Sequence, residues 1–230
     1  MKNYKIILFD LDDTLIDTEK TKNKILIEIF KKRGYILGKR ELQICEETNK
    51  QIWREYDKGI ITLEQLYDTR FKKMFNNIGY DIEEKSIEIE DEYKREQRKN
   101  IKLIPGAENL CKILSQKCDI YIITNGKKEY QWKKIEAVGL EKYVKGIFAS
   151  SEMRKPKPSI EFYEDIKDRI RKMNNENTLI VGNSLKVDIQ FGINSRVDTV
   201  WYNPENEKNE TDIKSTYEIH KLEEILNIIK

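Results

Sequence analysis

Four aspartates lie within eight residues near the start of the chain, directly after a run of large apolar side chains. The stretch from Lys5 to Asp17 reads KIILFDLDDTLID, in which Asp10, Asp12 and Asp13 come first. Unpaired carboxylates beside a hydrophobic strand are costly unless a cation or hydrogen-bond donors compensate them. Carboxylate oxygens suit Mg²⁺, which also binds phosphate oxygens. The stretch therefore favours metal or phosphate chemistry, although a helix N-cap with a turn would account for one or two of the aspartates.

Two other polar clusters follow apolar stretches that are typical of buried strands. Thr124 and Asn125 come after one stretch, and Asn183 and Ser184 come after another, with Asp188 a little farther along. In an open parallel sheet, the carboxyl ends of the strands form the crevice in which ligands bind, so we expect these clusters to meet the aspartates there. Two aspartates at a strand end can divide the work of phosphoryl transfer: one attacks phosphorus and its neighbour moves the proton.

The elements that position these side chains alternate between strands and helices. Strands are predicted over Tyr4 to Phe9, Asp119 to Thr124, Ile147 to Ala149, Thr178 to Val181 and Thr199 to Tyr202. Helical patterns cover residues 107–114, 127–138, 160–173 and 221–229. This alternation predicts an α/β fold, a Rossmann-like parallel sheet flanked by helices with right-handed crossovers.

A long helical insertion interrupts this alternation after the first strand. Residues 18–100 form highly charged segments with helical spacing and contain no convincing strand. We therefore predict a core made of residues 1–17 and 101–230, and an all-helical inserted domain over residues 18–100. Aromatic residues of this insertion, such as Tyr67, fit packing between helices better than the wall of a nucleobase site. Its arginines, such as Arg70, are expected on solvated faces or against anionic parts of a substrate.

The composition narrows the classes of partner. The chain has 230 residues, and its 43 Lys and Arg nearly cancel its 41 Asp and Glu, so no global field attracts a nucleic acid polymer or an anionic membrane. A small substrate is therefore expected. The three cysteines follow neither a zinc spacing nor a disulfide framework. Because the apolar stretch near the start is too short for a signal peptide, we expect a cytoplasmic location. The oligomeric state is left open.

The residues of the three clusters resemble the motifs of a known family. Asp10-Leu11-Asp12-Asp13-Thr14-Leu15 matches the DxDxT signature of the haloacid dehalogenase-like (HAD) phosphohydrolase superfamily. Thr124-Asn125-Gly126 resembles its second motif, Lys155 in Lys-Pro-Lys-Pro its third, and Gly182 to Ile189 its acidic fourth. The resemblance covers residues 1–17 and roughly 101–230, and the helical insertion lies where subclass I members carry their cap.

The resemblance implies a role for each matched residue in phosphoryl transfer. Asp10 would be the nucleophile, and Asp12 would be the general acid/base that protonates the leaving oxygen and later activates water. The phosphoryl group would be held by Thr124, Asn125, Gly126 and Lys155. Such groups act by aligning the phosphoryl group and balancing the charge on its oxygens.

The resemblance also implies a magnesium cofactor, held by Asp10, the main-chain carbonyl of Asp12, Asn183 and Asp188. The commoner form of the fourth motif has aspartate where this chain has Asn183. An amide oxygen can coordinate magnesium but brings no charge, so Asp188 must supply more of the negative charge. Whether Asn183 or Asp188 is the direct ligand stays open. The third motif also has an alternative, because Lys157 stands close to Lys155 and is likewise followed by proline.

The resemblance implies a phosphatase of small phosphomonoesters. Dehalogenases of the superfamily lack an aspartate at the position of Asp12, since halide needs no proton donor, whereas an ester oxygen does. The helix of residues 127–138, Gly192-Ile193-Asn194 and Trp201-Tyr202-Asn203 look most like the pyrimidine 5'-nucleotidase branch of subclass I. A nucleoside 5'-monophosphate is therefore the first expectation. The alternatives are a sugar-phosphate phosphatase, a phosphomutase, or a regulator that binds a phosphorylated ligand with little turnover.

Overall fold

A six-stranded parallel sheet forms the centre of the fold. The computed structural model describes residues 2–229. Its strands are β1 (Ile6–Phe9), β2 (Ile16–Asp17), β3 (Lys102–Leu103), β4 (Asp119–Thr124), β5 (Gly146–Ala149), β6 (Thr178–Gly182), β7 (Asp198–Tyr202) and β8 (Tyr217–Ile219). The order across the sheet is β5-β4-β1-β6-β7-β8, with every neighbouring pair parallel. The predicted α/β fold with a Rossmann-like sheet is confirmed.

The strand β1 is central because its residues are apolar on both faces. All four of its side chains are buried, as expected for a parallel strand covered by helices on both sides. Phe9 pairs with Ile122 of β4 on one side and with Val181 of β6 on the other. The residues that follow these three strands therefore emerge side by side at the carboxyl edge of the sheet.

Four helices, α1 to α4, lie in the insertion and are described below. The helices that follow them are α5 (Ala107–Leu114), α6 (Lys128–Ala137), α7 (Ile160–Arg169) and α8 (Gln190–Ser195). One face of the sheet packs against apolar residues of α7 and α8. Phe162 of α7 and Phe191 of α8 meet edge to face, with ring centroids 5.5 Å apart. These contacts hold the segments that follow β5 and β6 against the sheet.

Three short strands were not predicted from the sequence. The strands β2 and β3 pair antiparallel, with Ile16 opposite Leu103. The strand β8 adds to the sheet beside β7. In addition, residues 222–227 form a 3₁₀ helix, where the sequence predicted a longer closing helix over residues 221–229. Strands of two or three residues leave too short a hydrophobic pattern to be read from the sequence.

Residues Thr18–Ile101 form a second compact unit, whereas residues 2–17 and 102–229 form the first. The second unit consists of α1 (Glu19–Lys32), α2 (Lys39–Asp57), α3 (Leu63–Asn77) and α4 (Ser86–Asn100). Phe30 and Phe75 stack in its core with ring centroids 3.9 Å apart. Tyr67 is buried as well, which agrees with packing between helices.

Arg70 is buried, although the arginines of the insertion are predicted from the sequence to lie mainly on solvated faces. Its side chain is 6% exposed and forms an ion pair with Glu90, which is fully buried. The guanidinium lies 4.9 Å from the ring centroid of Phe71 and 5.1 Å from that of Tyr93. Arginine suits such a place because its flat, weakly hydrated guanidinium stacks on aromatic rings while it pairs with a carboxylate.

The cysteines Cys45, Cys111 and Cys118 are buried free thiols. Burial raises the pKa of Cys45 and of Cys111 to about 12, so these thiols stay protonated at neutral pH. Across residues 2–229, the structure contains no helix with the length and apolar composition needed to span a bilayer.

Candidate active site

Asp10 directly follows β1 and lies at the carboxyl edge of the sheet. Its amide nitrogen donates to the carbonyl oxygen of Val181 at 2.8 Å, which fixes the backbone just beyond the strand. The carboxylate oxygen Oδ1 of Asp10 accepts a 2.7 Å hydrogen bond from Nζ of Lys157. The same ammonium donates a 2.7 Å bond to Oδ1 of Asp188, which lies in the short π-helix Leu185–Ile189 after β6. One buried lysine thus brings together carboxylates that follow two neighbouring strands.

The lysine that contacts Asp10 is Lys157, which the sequence offered as the alternative to the predicted Lys155. The Lys157 side chain is 1% exposed, whereas Lys155 is exposed at the surface. Asn125 holds the backbone of Lys157 at two points, since its Oδ1 accepts from the Lys157 amide and its Nδ2 donates to the Lys157 carbonyl oxygen, both at 2.8 Å. The sequence repeats Lys-Pro, so the motif fitted either lysine, and the path of the backbone decides between them.

Burial and charge act against each other in the pair formed by Asp10 and Lys157. Burial raises the pKa of Asp10 to about 7; the Lys157 ammonium opposes this rise, and the charges of Asp188 and Asp12 add to it. Burial lowers the pKa of Lys157, but the charges of Asp10 and Asp188 raise it more, so it lies above its ordinary value. Lys157 therefore stays an ammonium ion and partly offsets the negative charge of the cluster.

Asp188 can fold back over the end of β6 because Gly182 has no side chain. A Cβ atom at Gly182 would overlap the side chain of Asp188. The second carboxylate oxygen of Asp188, Oδ2, accepts a hydrogen bond of 3.0 Å from the amide of Ser184. Each carboxylate oxygen of Asp188 is therefore engaged by a protein donor, one on Lys157 and the other on Ser184.

Thr14 links Asp10 to Asn183 at the same edge of the sheet. Its hydroxyl oxygen lies 3.3 Å from Oδ2 of Asp10 and 3.3 Å from Oδ1 of Asn183. A hydroxyl carries one hydrogen, so it cannot fully satisfy both oxygens at once. Carboxylate and amide oxygens are ligands that Mg²⁺ accepts. The donor chemistry of Asp10 and Asn183 therefore fits magnesium.

Asp12 directs its carboxylate to helix α6. Its Oδ1 accepts a 2.7 Å hydrogen bond from Nζ of Lys134, and its Oδ2 accepts a 2.7 Å bond from Nε2 of Gln131. Neither contact was predicted from the sequence, in which this helix showed only its likeness to a branch of the family. The signal that could have found them is helical phase, because Gln131, Lys134 and Ile135 have the spacing of one buried face.

Thr124 ends β4 and binds the same glutamine. Its Oγ1 accepts a 2.7 Å hydrogen bond from Nε2 of Gln131 and a 3.1 Å bond from the amide of Gly126. A hydroxyl has two acceptor positions and one hydrogen, so the hydrogen of Thr124 remains to be donated to another acceptor. An oxygen of a bound anion suits that position. The structure therefore brings Thr124 and Asp12 together through Gln131, at the edge where Asp10 lies.

Comparison with known proteins gives concordant matches over most of the chain. The family model of haloacid dehalogenase-like hydrolases matches residues 4–196. The Bacillus subtilis protein YfnB, named as a HAD-hydrolase, is 34% identical over 229 residues, which cover 100% of this chain and 97% of that protein. The pyrimidine 5'-nucleotidase PynA of Streptococcus pneumoniae is 30% identical over 227 residues, covering 98% and 95%. A crystal structure of YfnB bound to magnesium matches with a TM-score of 0.90, 33% identity and 99% coverage of both chains.

Proposed function

Since this chain belongs to the haloacid dehalogenase-like hydrolase family, we propose that it hydrolyses small phosphate monoesters by transferring the phosphoryl group to Asp10. The observation that carries this proposal is the pair of aspartates in different settings at one sheet edge. Asp10 is bound to the buried Lys157, while Asp12 is bound to Lys134 and Gln131 and its side chain is 35% exposed. A nucleophile and a proton-transfer group need such separate environments.

The first step forms a bond between a carboxylate oxygen of Asp10 and phosphorus and breaks the bond from phosphorus to the ester oxygen. The ester oxygen takes a proton from Asp12 and leaves as an alcohol. Lys157 and the Thr124 hydroxyl offset the charge on the phosphoryl oxygens, which is the main way in which proteins accelerate this transfer. In the second step a water molecule gives a proton to Asp12 and attacks phosphorus, which releases inorganic phosphate and restores the Asp10 carboxylate.

We propose that Asp10, the main-chain carbonyl of Asp12 and Asn183 hold a magnesium ion. When bound, Mg²⁺ offsets charge on the phosphoryl oxygens and helps to orient the ester. In this assignment Asp188 acts on the metal site through its ion pair with Lys157, because both of its oxygens accept hydrogen bonds from the protein. The donor chemistry of Asp10 and Asn183, which share the Thr14 hydroxyl, supports the proposal.

The first substrate class that we propose is a nucleoside 5'-monophosphate, and a pyrimidine one in particular. The support is the resemblance of this chain to a relative named as a pyrimidine 5'-nucleotidase over nearly its whole length. Asp12 favours phosphate ester cleavage over dehalogenation, because an alkoxide leaving group needs a proton and a halide does not. Sugar phosphates are the second class to be tested.

The test is phosphate release from nucleotides, sugar phosphates and small acid phosphates, with magnesium and with a chelator. We expect magnesium-dependent turnover that is lost in Asp10→Asn. The matched control is Asp119→Asn. It makes the same chemical change at the first residue of β4, at the edge of the sheet opposite to Asp10. Conversion of a phosphate ester to its isomer with almost no phosphate release would identify a mutase instead. Tight ligand binding without turnover would identify a regulator.

A further inference from the structure

Helix α6 presents two side chains to Asp12 that belong to none of the four sequence motifs. Lys134 binds Oδ1 of Asp12 and Gln131 binds Oδ2, each at 2.7 Å. The two residues are three positions apart, so they lie one above the other on the same helix face. Each oxygen of the Asp12 carboxylate is therefore held from the same side by a different donor.

The burial of Lys134 points to a specific task for its charge. Its side chain is 3% exposed, whereas that of its neighbour Lys133 is 46% exposed and pairs with Glu129 one turn back on the same helix. A buried ammonium is costly unless a carboxylate and hydrogen bonds compensate it. Lys133 is thus an ordinary surface lysine of a helix, whereas the buried ammonium of Lys134 pairs with Asp12.

Gln131 joins the proton-transfer residue to the predicted phosphate-binding residue. Its Nε2 carries two hydrogens and lies 2.7 Å from Oδ2 of Asp12 and 2.7 Å from Oγ1 of Thr124. Gly126 leaves space for this amide, because a Cβ atom there would come within 2.9 Å of Nε2. The same amide thus fixes the carboxylate of Asp12 and leaves the Thr124 hydroxyl to donate its hydrogen elsewhere.

We propose that Lys134 and Gln131 are positioning residues that hold the carboxyl group of Asp12 at the place where it delivers a proton to the leaving oxygen. This inference rests on the proposed function, in which the ester oxygen takes a proton from Asp12 as its bond to phosphorus breaks. Without the two donors, the Asp12 carboxyl group loses a 2.7 Å hydrogen bond at each of its oxygens, and the proton is delivered from the required position less often. Such a loss affects esters in proportion to their need for protonation.

The test compares phenyl phosphate with p-nitrophenyl phosphate, two esters of similar shape whose leaving groups differ in their need for a proton. The variants are Lys134→Met and Gln131→Met, with Lys134→Arg as the conservative replacement and Lys133→Met as the matched control. The measured quantity is kcat/KM, which reports phosphoryl transfer to Asp10 and not the later hydrolysis. Because a positioned proton donor contributes about 10²–10⁴-fold, we expect kcat/KM for phenyl phosphate to fall about tenfold or more in both Met variants.

For p-nitrophenyl phosphate we expect a fall of less than about threefold, since its leaving group needs little help from an acid. Lys134→Arg should recover most of the loss, and Lys133→Met should match the wild type with both esters. Urea unfolding of each variant shows whether the fold is retained, and the ratio of the two losses is insensitive to a smaller amount of active protein.

Three results would overturn the inference while leaving the proposed function intact. The first is an equal loss with both esters, which would mean a merely structural role. The second is a Lys134→Met variant that behaves like Lys133→Met. The third is a gain of activity in Lys134→Met, which would mean that Lys134 holds the Asp12 carboxyl group away from the leaving oxygen. If the wild type releases no phosphate from any ester tested while Asp10→Asn is equally inactive, the proposed function itself fails.

Discussion

Replacing Lys157 by methionine removes the ammonium that Asp10 and Asp188 share, and we expect a large loss of both stability and turnover. Lys157 is 1% exposed and lies 2.7 Å from an oxygen of each aspartate. Removing one partner of a buried ion pair costs about 3–5 kcal/mol, against a total stability of about 5–15 kcal/mol for a typical domain. Removing a group that stabilises charge in the transition state costs about 10²–10³-fold in kcat.

The matched control is Lys155→Met, which makes the same change at the exposed lysine of the repeated Lys-Pro pair. Away from such contacts, a surface substitution changes stability by about 0.5 kcal/mol or less, so this variant should resemble the wild type. The assays are urea unfolding and magnesium-dependent phosphate release from p-nitrophenyl phosphate, the latter at a temperature where the unfolding curve shows each variant fully folded. The two readouts then separate the effect of Lys157 on folding from its effect on the reaction.

The opposite pattern would refute the reasoning. If Lys155→Met abolished turnover while Lys157→Met kept it, the lysine that works on the phosphoryl group would be the exposed one. If Lys157→Met lost no stability, the carboxylates of Asp10 and Asp188 would not depend on its charge. A loss of stability with unchanged kcat would keep Lys157 as a structural residue and remove it from the proposed reaction.

Three further substitutions test other parts of the structure. Asn183→Asp should lower the magnesium concentration that gives half-maximal activity, because a carboxylate adds charge where an amide now stands; an unchanged or higher requirement would count against Asn183 as a ligand. Gly182→Ala should destabilise the protein by about 1–3 kcal/mol in urea unfolding, since the new methyl group overlaps Asp188, and a neutral result would mean that Asp188 moves easily. Arg70→Met removes one of the two cations that pair with the buried Glu90, the other being Lys94 at 3.5 Å, and should cost about 1–3 kcal/mol in urea unfolding; a loss below about 1 kcal/mol would show that Lys94 compensates this carboxylate by itself.

The candidate residues that follow long apolar strands lie at one edge of the sheet, as the sequence predicts. Asp10 and Thr124 each come at the end of a buried strand, and in a parallel sheet such positions share an edge. The prediction of fold class succeeded for the same reason, because β1, β4 and β6 have continuous apolar runs. It failed for β8, because the three residues of Tyr217–Ile219 are too few to show a period.

The sequence could not assign residues whose role depends on the path of the backbone between motifs. Lys155 and Lys157 are both followed by proline, and only Lys157 has its backbone held by Asn125. Lys133 and Lys134 are adjacent in a charged helix, and their separation into surface and buried positions depends on how α6 is rotated against Asp12. The burial of Arg70 likewise depends on Glu90, a partner on another helix that no local pattern identifies.

The charges around Asp10 explain why this chain can have Asn183 where the commoner form of the fourth motif has aspartate. Asp188 gives one oxygen to Lys157 and the other to the amide of Ser184, so its charge balances the lysine and does not depend on a metal ion. Asn183 then needs to supply an oxygen to the site and no further charge, as its contact with the Thr14 hydroxyl allows. In the proposed site, charge and coordination are therefore divided between two residues that follow β6. If this division holds, Asp188→Asn should harm stability more than the magnesium requirement, and substitution of Asn183 should do the reverse.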